Sequence, residues 1–346
     1  MDWRGVIFLL LPKSILNSFS GIKAKILVVG ILKIDTIGNL KNNFGKKIGS
    51  ILIVSFVLGI CLFGAGCADK NDSKAGGGPP DAGSGSEYED EITIGYVLWD
   101  GEIASTNVIQ QVLQQAGYKN VEIMHVDVGP LYHGLAKGEF DFTTSAWLPQ
   151  TQIHYWKKYG DQIDPVGVNL KGCPIGLVVP PYVEVSSIEE LNANKELFEG
   201  EIIGIDPGAG VMDLTETAIA EYGLDMELTA SSNAGMLAAL KSAIESKEPI
   251  VVTLWSPHWA FERWDLKYLE DPKGIYGKED NVETLARMGL KEDMPRLYGI
   301  IERFDWSHEE IESIMMDIEN GTAPEEAAAK WIENNPDRVQ EWIGEE

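Results

Sequence analysis

The chain has 346 residues, of which 44% are hydrophobic and 24% are charged. This composition suffices for one large or two medium globular domains and excludes low-complexity disorder over most of the chain. The formal net charge is -26, yet residues 1–66 hold 8 of the 28 basic and only 2 of the 54 acidic side chains. The remaining, strongly acidic part repels phosphate backbones and anionic headgroups, which argues against nucleic acid or a membrane surface as partner.

An export signal is predicted near the N-terminus. Lys41, Lys46 and Lys47 precede an uncharged, largely apolar run over residues 48–66, which meets Cys67. A basic region followed by an apolar region and small residues is typical of a secretory signal. An uncleaved transmembrane anchor is the alternative, because the run is long enough to span a bilayer. Either reading predicts a protein outside the cytoplasm, tethered to the outer face of the cytoplasmic membrane.

The residues around Cys67 also predict how the chain is anchored to the membrane. The order Gly64-Ala65-Gly66-Cys67 resembles a lipoprotein signal, which implies that Cys67 carries the lipid as the first mature residue. Residues 67–90 are rich in Gly, Ser, Asp and Pro without an apolar period, so we expect a flexible tether there. Residues 1–40 precede an already complete signal, and we therefore expect the true start near Lys41.

From residue 91 onward, strand-like apolar runs alternate with segments of helical period, which predicts an α/β protein with mainly parallel sheets. In the first unit we expect strands at 92–99, 121–127, 140–147 and 173–180, and helices at 104–117, 131–137 and 150–159. A break at Pro180-Pro181 ends this unit. Cys173 is the single cysteine of the predicted folded region, so no internal disulfide is expected there.

A second α/β unit follows the break. Its predicted elements are a helix at 187–198, a strand at 201–206, a helix at 211–222, a short strand at 227–230, a helix at 234–246 and a strand at 250–255. After a further strand at 265–271 the chain is predicted to be mostly helical, with segments at 294–304, 307–320 and 323–334. We expect one lobe from residues 91–181 and 266–346, a second from 182–265, and the binding site in the cleft between them.

Three tryptophans end predicted strands: Trp99 ends IGYVLW, Trp147 ends FDFTTSAW and Trp255 ends IVVTLW. Ligands bind at the carboxyl edge of open α/β sheets, so the indoles are expected to face one cleft, although a core role is an even alternative for each. A quaternary ammonium group cannot donate an N–H bond and is best met by electron-rich rings, at roughly 0.5 to 2 kcal/mol per contact. Pro257 is expected to stop the third strand, and His258 and Trp259 are expected to pack behind Trp255.

A glycine-rich turn, Ile205-Asp-Pro-Gly-Ala-Gly-Val211, leads from a predicted strand into a predicted helix. Free backbone N–H groups and the helix dipole at such a turn favour an anion. An ordinary strand-to-helix turn is the alternative, and the GK[ST] ending of a phosphate loop is missing. Together with the three indoles, the turn indicates a small zwitterion with a cationic head and a carboxylate.

Several longer motifs resemble the glycine betaine binding proteins of ABC importers, the branch called OpuAC-like. They are GYVLWDGEIASTNV, SAWLPQTQ, IGLVVPPYV, GIDPGAGVM, TLWSPHW and DLKYLEDPKG, and the resemblance covers about residues 92–335. It implies a two-lobed, type II-like periplasmic-binding-protein fold that closes on its ligand. It also implies that Trp99, Trp147 and Trp255 form a cage for the ammonium head.

The resemblance further implies how a ligand carboxylate is held. Backbone amides matching Gly210 and Val211 would bind it, together with a histidine that follows the WLPxT motif. Gln152 stands at the histidine position in this chain. Its amide can donate a neutral hydrogen bond but supplies no charge, so we expect a weaker carboxylate contact or a different preferred ligand. His154 faces roughly the opposite side of a helix and is expected at the surface or in packing.

The function implied by the resemblance is capture of glycine betaine or a related quaternary-ammonium solute by a monomer that delivers it to the membrane subunits of an importer, for osmoprotection. Choline or carnitine binding and a tethered sensor are the alternatives. No cofactor or metal is expected, because the histidines lack ligand spacing. An enzyme is not expected either, because Ser256, His258 and Asp265 lack a G-x-S-x-G elbow. Asp100 and Glu102 are interpreted as charges at a helix start, with a counter-charge to the ammonium as the alternative.

Overall fold

The computed structural model describes residues 88–344. The predicted export signal, the predicted lipid site at Cys67 and most of the predicted tether lie outside the described residues. The first strand already begins at Tyr88, so the last three residues assigned to the tether belong to a sheet. Within residues 88–344, no helix is long and apolar enough to cross a membrane.

The strands of the described residues are numbered in chain order. They are β1 (Tyr88–Tyr96), β2 (Tyr118–His125), β3 (Phe142–Leu148), β4 (Ile163–Cys173), β5 (Ile175–Val179), β6 (Glu201–Ile203), β7 (Glu227–Thr229), β8 (Val252–Trp255), β9 (Lys267–Tyr268) and β10 (Asp280–Arg287).

The α-helices of this part of the chain are numbered in the same way. They are α1 (Asp100–Gln115), α2 (Val128–Lys137), α3 (Ile153–Tyr159), α4 (Gly210–Tyr222), α5 (Asn233–Ser246), α6 (Trp259–Arg263), α7 (Leu290–Asp293), α8 (Pro295–Arg303), α9 (His308–Glu319), α10 (Pro324–Asn334) and α11 (Pro336–Ile343). Short 3-10 helices at Ile188–Glu190 and Asn192–Phe198 replace the helix predicted at 187–198.

Two five-stranded sheets are formed, in the orders β2-β1-β3-β10-β4 and β7-β6-β8-β5-β9. In the first sheet β1 runs parallel to β2 and β3, whereas β10 runs antiparallel to β3 and β4. In the second, β6 runs parallel to β7 and β8, whereas β5 runs antiparallel to β8 and β9. The α/β class is therefore right, but the prediction of mainly parallel sheets is wrong.

The apolar pattern explains the best-predicted elements. In α1 the residues at helical spacing, among them Ala104, Val108 and Val112, are fully buried, which is the stripe that a sheet-covering helix presents. All seven residues of β3 are buried, because this strand lies inside the sheet with both faces covered. Three of these buried residues, Thr143, Thr144 and Ser145, are polar, and the strand ends at the cleft with Trp147 and Leu148.

The predicted lobe boundaries do not coincide with the sheets. β5 pairs with β8, and β9 pairs with β5, so both strands belong to the second sheet although residues 91–181 and 266–346 were assigned to one lobe. An apolar run does not reveal which sheet a strand joins, and Pro180-Pro181 marks only the end of β5. We call residues 88–173 and 280–344 the first lobe, and residues 175–276 the second lobe.

Candidate functional site

The three tryptophans selected from the sequence meet in one place. The ring centroid of Trp255 lies 5.9 Å from that of Trp99 and 6.2 Å from that of Trp147, with interplanar angles of 52° and 72°. Trp147 lies in β3 and Trp255 ends β8, whereas Trp99 lies three residues beyond β1, at the N-cap of α1. The site thus combines indoles from both lobes, and all three are buried.

These rings line a small cavity. The other residues that line it are Thr151, Ile175, Ile205, Ala209 and Val211. None of the lining side chains is charged, so a cation there would rely on the ring faces rather than on a direct ion pair. The apolar lining therefore suits the methyl groups of a quaternary ammonium head.

The N-terminus of α4 contributes Val211 to the lining of the cavity, next to the N-cap residue Ala209. The first N–H groups of an α-helix, here those of Gly210 and Val211, have no acceptor inside the helix and carry the positive end of its dipole. A Cβ on Gly210 would lie only 1.7 Å from the carbonyl oxygen of Thr151, so glycine allows the helix to reach the loop after β3. This end of the cavity is suited to an anion.

Gln152 lies in that loop and is fully buried. Its Oε1 accepts hydrogen bonds from the backbone N–H of Trp147 at 3.1 Å and from the hydroxyl of Tyr132 at 2.9 Å. A backbone N–H can only donate, so the atom that faces it must be the amide oxygen, and Nε2 is the donor on the other side. Nε2 has no partner among the described residues. Leaving a buried donor unpaired costs about 1 to 3 kcal/mol, which is a reason to expect an acceptor there.

Thr151 is a second candidate donor, which no pattern in the sequence indicates. Its Oγ1 is buried without a hydrogen-bond partner in the described part of the chain, and the residue lines the cavity. The loop itself is held by Asp280, whose carboxylate accepts from the N–H groups of Gln150 at 2.7 Å and Thr151 at 2.8 Å. This anchor fixes the backbone that carries both Thr151 and Gln152.

Asp100, at the start of α1, binds three groups of the second lobe. Its carboxylate accepts from Asn233 Nδ2 at 2.5 Å and from Trp259 Nε1 at 2.9 Å. His258 Nε2 lies 3.3 Å from Asp100 Oδ2, and His258 Nδ1 accepts from the N–H of Ala260. Burial alone would raise the pKa of Asp100, but His258, Asn233 and Trp259 outweigh it and hold that pKa below its usual value. His258 and Trp259 therefore join the lobes as well as packing behind Trp255.

The remaining sequence candidates lie elsewhere. His154 is exposed, as predicted, with Nδ1 at 3.3 Å from Asp213 Oδ2. Ser256 shares a hydrogen bond with the hydroxyl of Tyr268 at 3.0 Å. His258 is engaged by Asp100 and Ala260, so Ser256 and His258 each have partners outside the triad considered from the sequence. Among residues 88–344 there is no group of three or more His, Cys, Asp or Glu side chains that could hold a metal ion.

Comparisons with known proteins show which family the chain is similar to. A family model described as the substrate binding domain of ABC-type glycine betaine transport systems matches residues 90–334. The glycine betaine/carnitine transport binding protein GbuC of Listeria monocytogenes is 45% identical over 163 residues, which are 45% of this chain and 54% of that protein. The match therefore spans about half the length of this curated relative.

Two solved structures are similar over most of the described residues. Lactococcal OpuAC, in its closed conformation with glycine betaine, has a TM-score of 0.70 and 41% identity, covering 74% of this chain and 100% of that one. The glycine betaine/L-proline-binding protein ProX of Borrelia burgdorferi has a TM-score of 0.72 and 40% identity, covering 74% of this chain and 97% of that one.

Proposed function

The chain belongs to the family of substrate-binding domains of ABC-type glycine betaine transport systems, and from this premise we propose that it captures glycine betaine outside the cytoplasm. The captured ligand is then delivered to the membrane subunits of an ABC importer, which accumulates it for osmoprotection. The family and the periplasmic-binding-protein fold implied by the sequence motifs are both confirmed. The ligand, the partner and the residues that hold the ligand are proposals.

The single observation that carries the proposal is the meeting of three indoles from two lobes around an uncharged cavity. Each ring face attracts a cation by roughly 0.5 to 2 kcal/mol, and the attraction grows when water is excluded. Because Trp99 and Trp147 belong to the first lobe and Trp255 to the second, the cage is complete only when the lobes meet. Ligand capture and lobe closure are thereby coupled.

The carboxylate of glycine betaine is proposed to lie at the other end of the cavity. The free N–H groups of Gly210 and of the lining residue Val211 lie at the start of α4. Gln152, which follows the lining residue Thr151, has a buried Nε2 donor without a partner in the described residues. Choline carries a hydroxyl instead of a carboxylate and would use this end poorly. We therefore rank glycine betaine above choline, with carnitine, which also has a carboxylate, as the second candidate.

A calorimetric panel of glycine betaine, proline betaine, carnitine and choline tests this function. We expect glycine betaine to bind and choline to bind at least about tenfold more weakly, the equivalent of one lost charge-assisted contact. Trp255→Ala should abolish binding while the circular dichroism spectrum is retained. Trp156→Ala, a tryptophan of α3 that does not line the cage cavity, is the matched control and should bind normally. Wild-type protein that binds none of the four ligands would overturn the proposal.

The anchor is proposed from the sequence alone. A lipid on Cys67 would hold a monomeric binding protein at the outer face of the cytoplasmic membrane, with the tether predicted from residue 67 onward as the connection. The intact mass of the mature protein checks for the lipid on Cys67. The intact mass of the unprocessed chain checks whether translation starts near Lys41. A mature chain that retains residues 48–66 would instead support the uncleaved helix.

A further inference from the structure

Glu102 is a buried carboxyl group directly behind the cage. It is the third residue of α1 and only 3% exposed. Its Oε1 accepts a hydrogen bond from Trp147 Nε1 at 2.7 Å, whereas its Oε2 is buried without a hydrogen-bond partner in the described part of the chain. A half-satisfied acid in such a place is costly, so its retention beside a ligand wall needs a reason.

A second small cavity lies on the Glu102 side of the cage. Among its lining residues are Glu102, Ser105, Thr144, Asn169, Trp147 and Trp255. Trp147 and Trp255 also line the cage cavity, so these indoles separate the carboxyl group from the cage. Ser105 and Thr144 bind each other at 3.2 Å and neither binds Glu102. The free Oε2 is thus not engaged by the polar groups of its own cavity.

A neutral acceptor could hold the Trp147 ring as well as a carboxylate does, so anchoring alone does not account for an acid. An ionised Glu102 does two things that a neutral group does not. Its charge attracts a cation across the ring, with little screening because water is excluded. Its hydrogen bond to Nε1 also polarises the indole and makes the opposite ring face more negative, since charged acceptors polarise the donors they bind.

We propose that Glu102 is a positioning and charge-selecting residue of the ligand site: its carboxylate orients Trp147 and supplies the negative charge that makes the cage prefer a cation. This inference rests on the proposed function, because it takes a quaternary ammonium head as the occupant of the cage. It assigns the role of counter-charge to Glu102, which acts through Trp147, while Asp100 serves to join the lobes.

The ionisation of Glu102 connects this role to pH. Burial, together with the charge of Asp100 on the same helix, raises the pKa of Glu102 to about 7, against the hydrogen bond from Trp147. Cys173, at the end of β4, faces it with a thiol whose pKa is itself raised to about 12, first by burial and then by Glu102. From α9, the apolar Ile311 and Met315 approach Gly101. His258, beyond Asp100, is the remaining titratable neighbour.

The sign of the pH effect follows from proton linkage. Below about pH 7 Glu102 is protonated in the empty site and must release a proton when a cationic head binds. Because a protonated carboxyl group is as uncharged as an amide, the affinity should fall by about tenfold in all as the pH drops below that point, and it should stay constant above it.

Titration calorimetry with glycine betaine between about pH 5.5 and pH 8.5 tests the proposal. In Glu102→Gln, whose amide oxygen still accepts from Trp147, the affinity at about pH 8 should fall by roughly tenfold and its pH dependence should vanish. Glu312→Gln is the control, because the pKa of Glu312 is also raised by burial, next to Glu262, yet the residue lines neither cavity. It should keep both the affinity and the pH profile of the wild type.

A second measurement needs no variant. The binding enthalpy of the wild type in buffers of different ionisation enthalpy gives the protons released, and we expect a substantial fraction of one proton at about pH 6 and almost none at about pH 8.5. Zero release at both values, or Glu102→Gln with wild-type affinity and profile, would overturn the role of Glu102 while glycine betaine still binds. Wild-type protein that binds no quaternary ammonium ligand would instead refute the proposed function.

Discussion

At the scale of single residues, Gln152 offers the sharpest separation of ligands. Gln152→Glu keeps an oxygen for the N–H of Trp147 and the hydroxyl of Tyr132, but it replaces the free donor with a second oxygen. That oxygen would repel a ligand carboxylate in a buried site. We expect the affinity for glycine betaine to fall by at least about tenfold. The affinity for choline, which has no carboxylate, should fall much less.

Calorimetry with both ligands checks this prediction, and choline serves as the internal control because it reports whether the cage still forms. Gln152→Ala completes the series, since it removes both the acceptor and the donor. An equal loss for the two ligands in Gln152→Glu would mean that the loop had been disturbed and would argue against Nε2 as a carboxylate contact.

The sequence indicated some of these residues and not others, for a physical reason. Tryptophans at predicted strand ends stand out because the residue type is rare and the topology of α/β sheets directs strand ends to a cleft. Thr151 could not be selected, because only the structure shows that its hydroxyl is buried and unpaired. The contact of Asp100 with Asn233 joins residues 133 apart, and no local pattern in the sequence contains such a pairing.

At the scale of elements, the approach of α4 to the loop after β3 depends on the absence of one side chain. A Cβ at Gly210 would meet the carbonyl carbon of Thr151 at 2.5 Å and its oxygen at 1.7 Å, so the lobes could not approach as closely. Alanine itself suits a helix better than glycine, by about 1 kcal/mol. Gly210→Ala should therefore preserve the fold and weaken ligand binding by at least about tenfold, the usual scale of a steric penalty of this kind.

The matched control is Gly167→Ala in β4, where an added Cβ would meet nothing within 4 Å. Thermal unfolding without ligand should be similar for the wild type and both variants, and calorimetry with glycine betaine should separate Gly210→Ala from the other two. Wild-type affinity in Gly210→Ala would show that the lobes need not approach at this point for binding.

The elements that were predicted least well explain what a sequence pattern lacks. β10 was absent from the prediction, and β4 was recognised only at its last residue, although β10 pairs with both β3 and β4. In β4 only 4 of 11 residues are buried, and the strand contains Pro165, Gly167 and Gly172, which interrupt the alternation on which a strand prediction depends. β3, fully buried, was predicted to within two residues at its start.

At the scale of the whole molecule, function depends on how firmly two lobes hold each other when the cage is complete. Two histidine–carboxylate pairs cross between the lobes with the same 3.3 Å separation. His258 is fully buried and Asp100 is half-buried, with side chains 0% and 20% exposed. His154 and Asp213 are 42% and 53% exposed. Exposed pairs contribute about 0 to 1 kcal/mol, whereas a buried carboxylate with several donors is much harder to replace.

This contrast leads to a prediction about closure. Asp100→Asn removes the charge that His258, Asn233 and Trp259 share, and places an NH2 group where two donors now point. The closed form should lose about 1 to 3 kcal/mol relative to the open form, so the affinity for glycine betaine should fall roughly fivefold to a hundredfold. Asp213→Asn, which alters the exposed pair at the same distance, should change the affinity less than about threefold.

Small-angle scattering with calorimetry checks this prediction, because an open form has a larger radius of gyration. At a glycine betaine concentration that closes the wild type and Asp213→Asn, Asp100→Asn should remain partly open, and a higher concentration should close it. If Asp100→Asn loses affinity and closure in parallel, the contacts of Asp100 contribute to the free energy that retains the ligand. Equal affinities in the two variants would show that the indoles and α4 alone hold the lobes together.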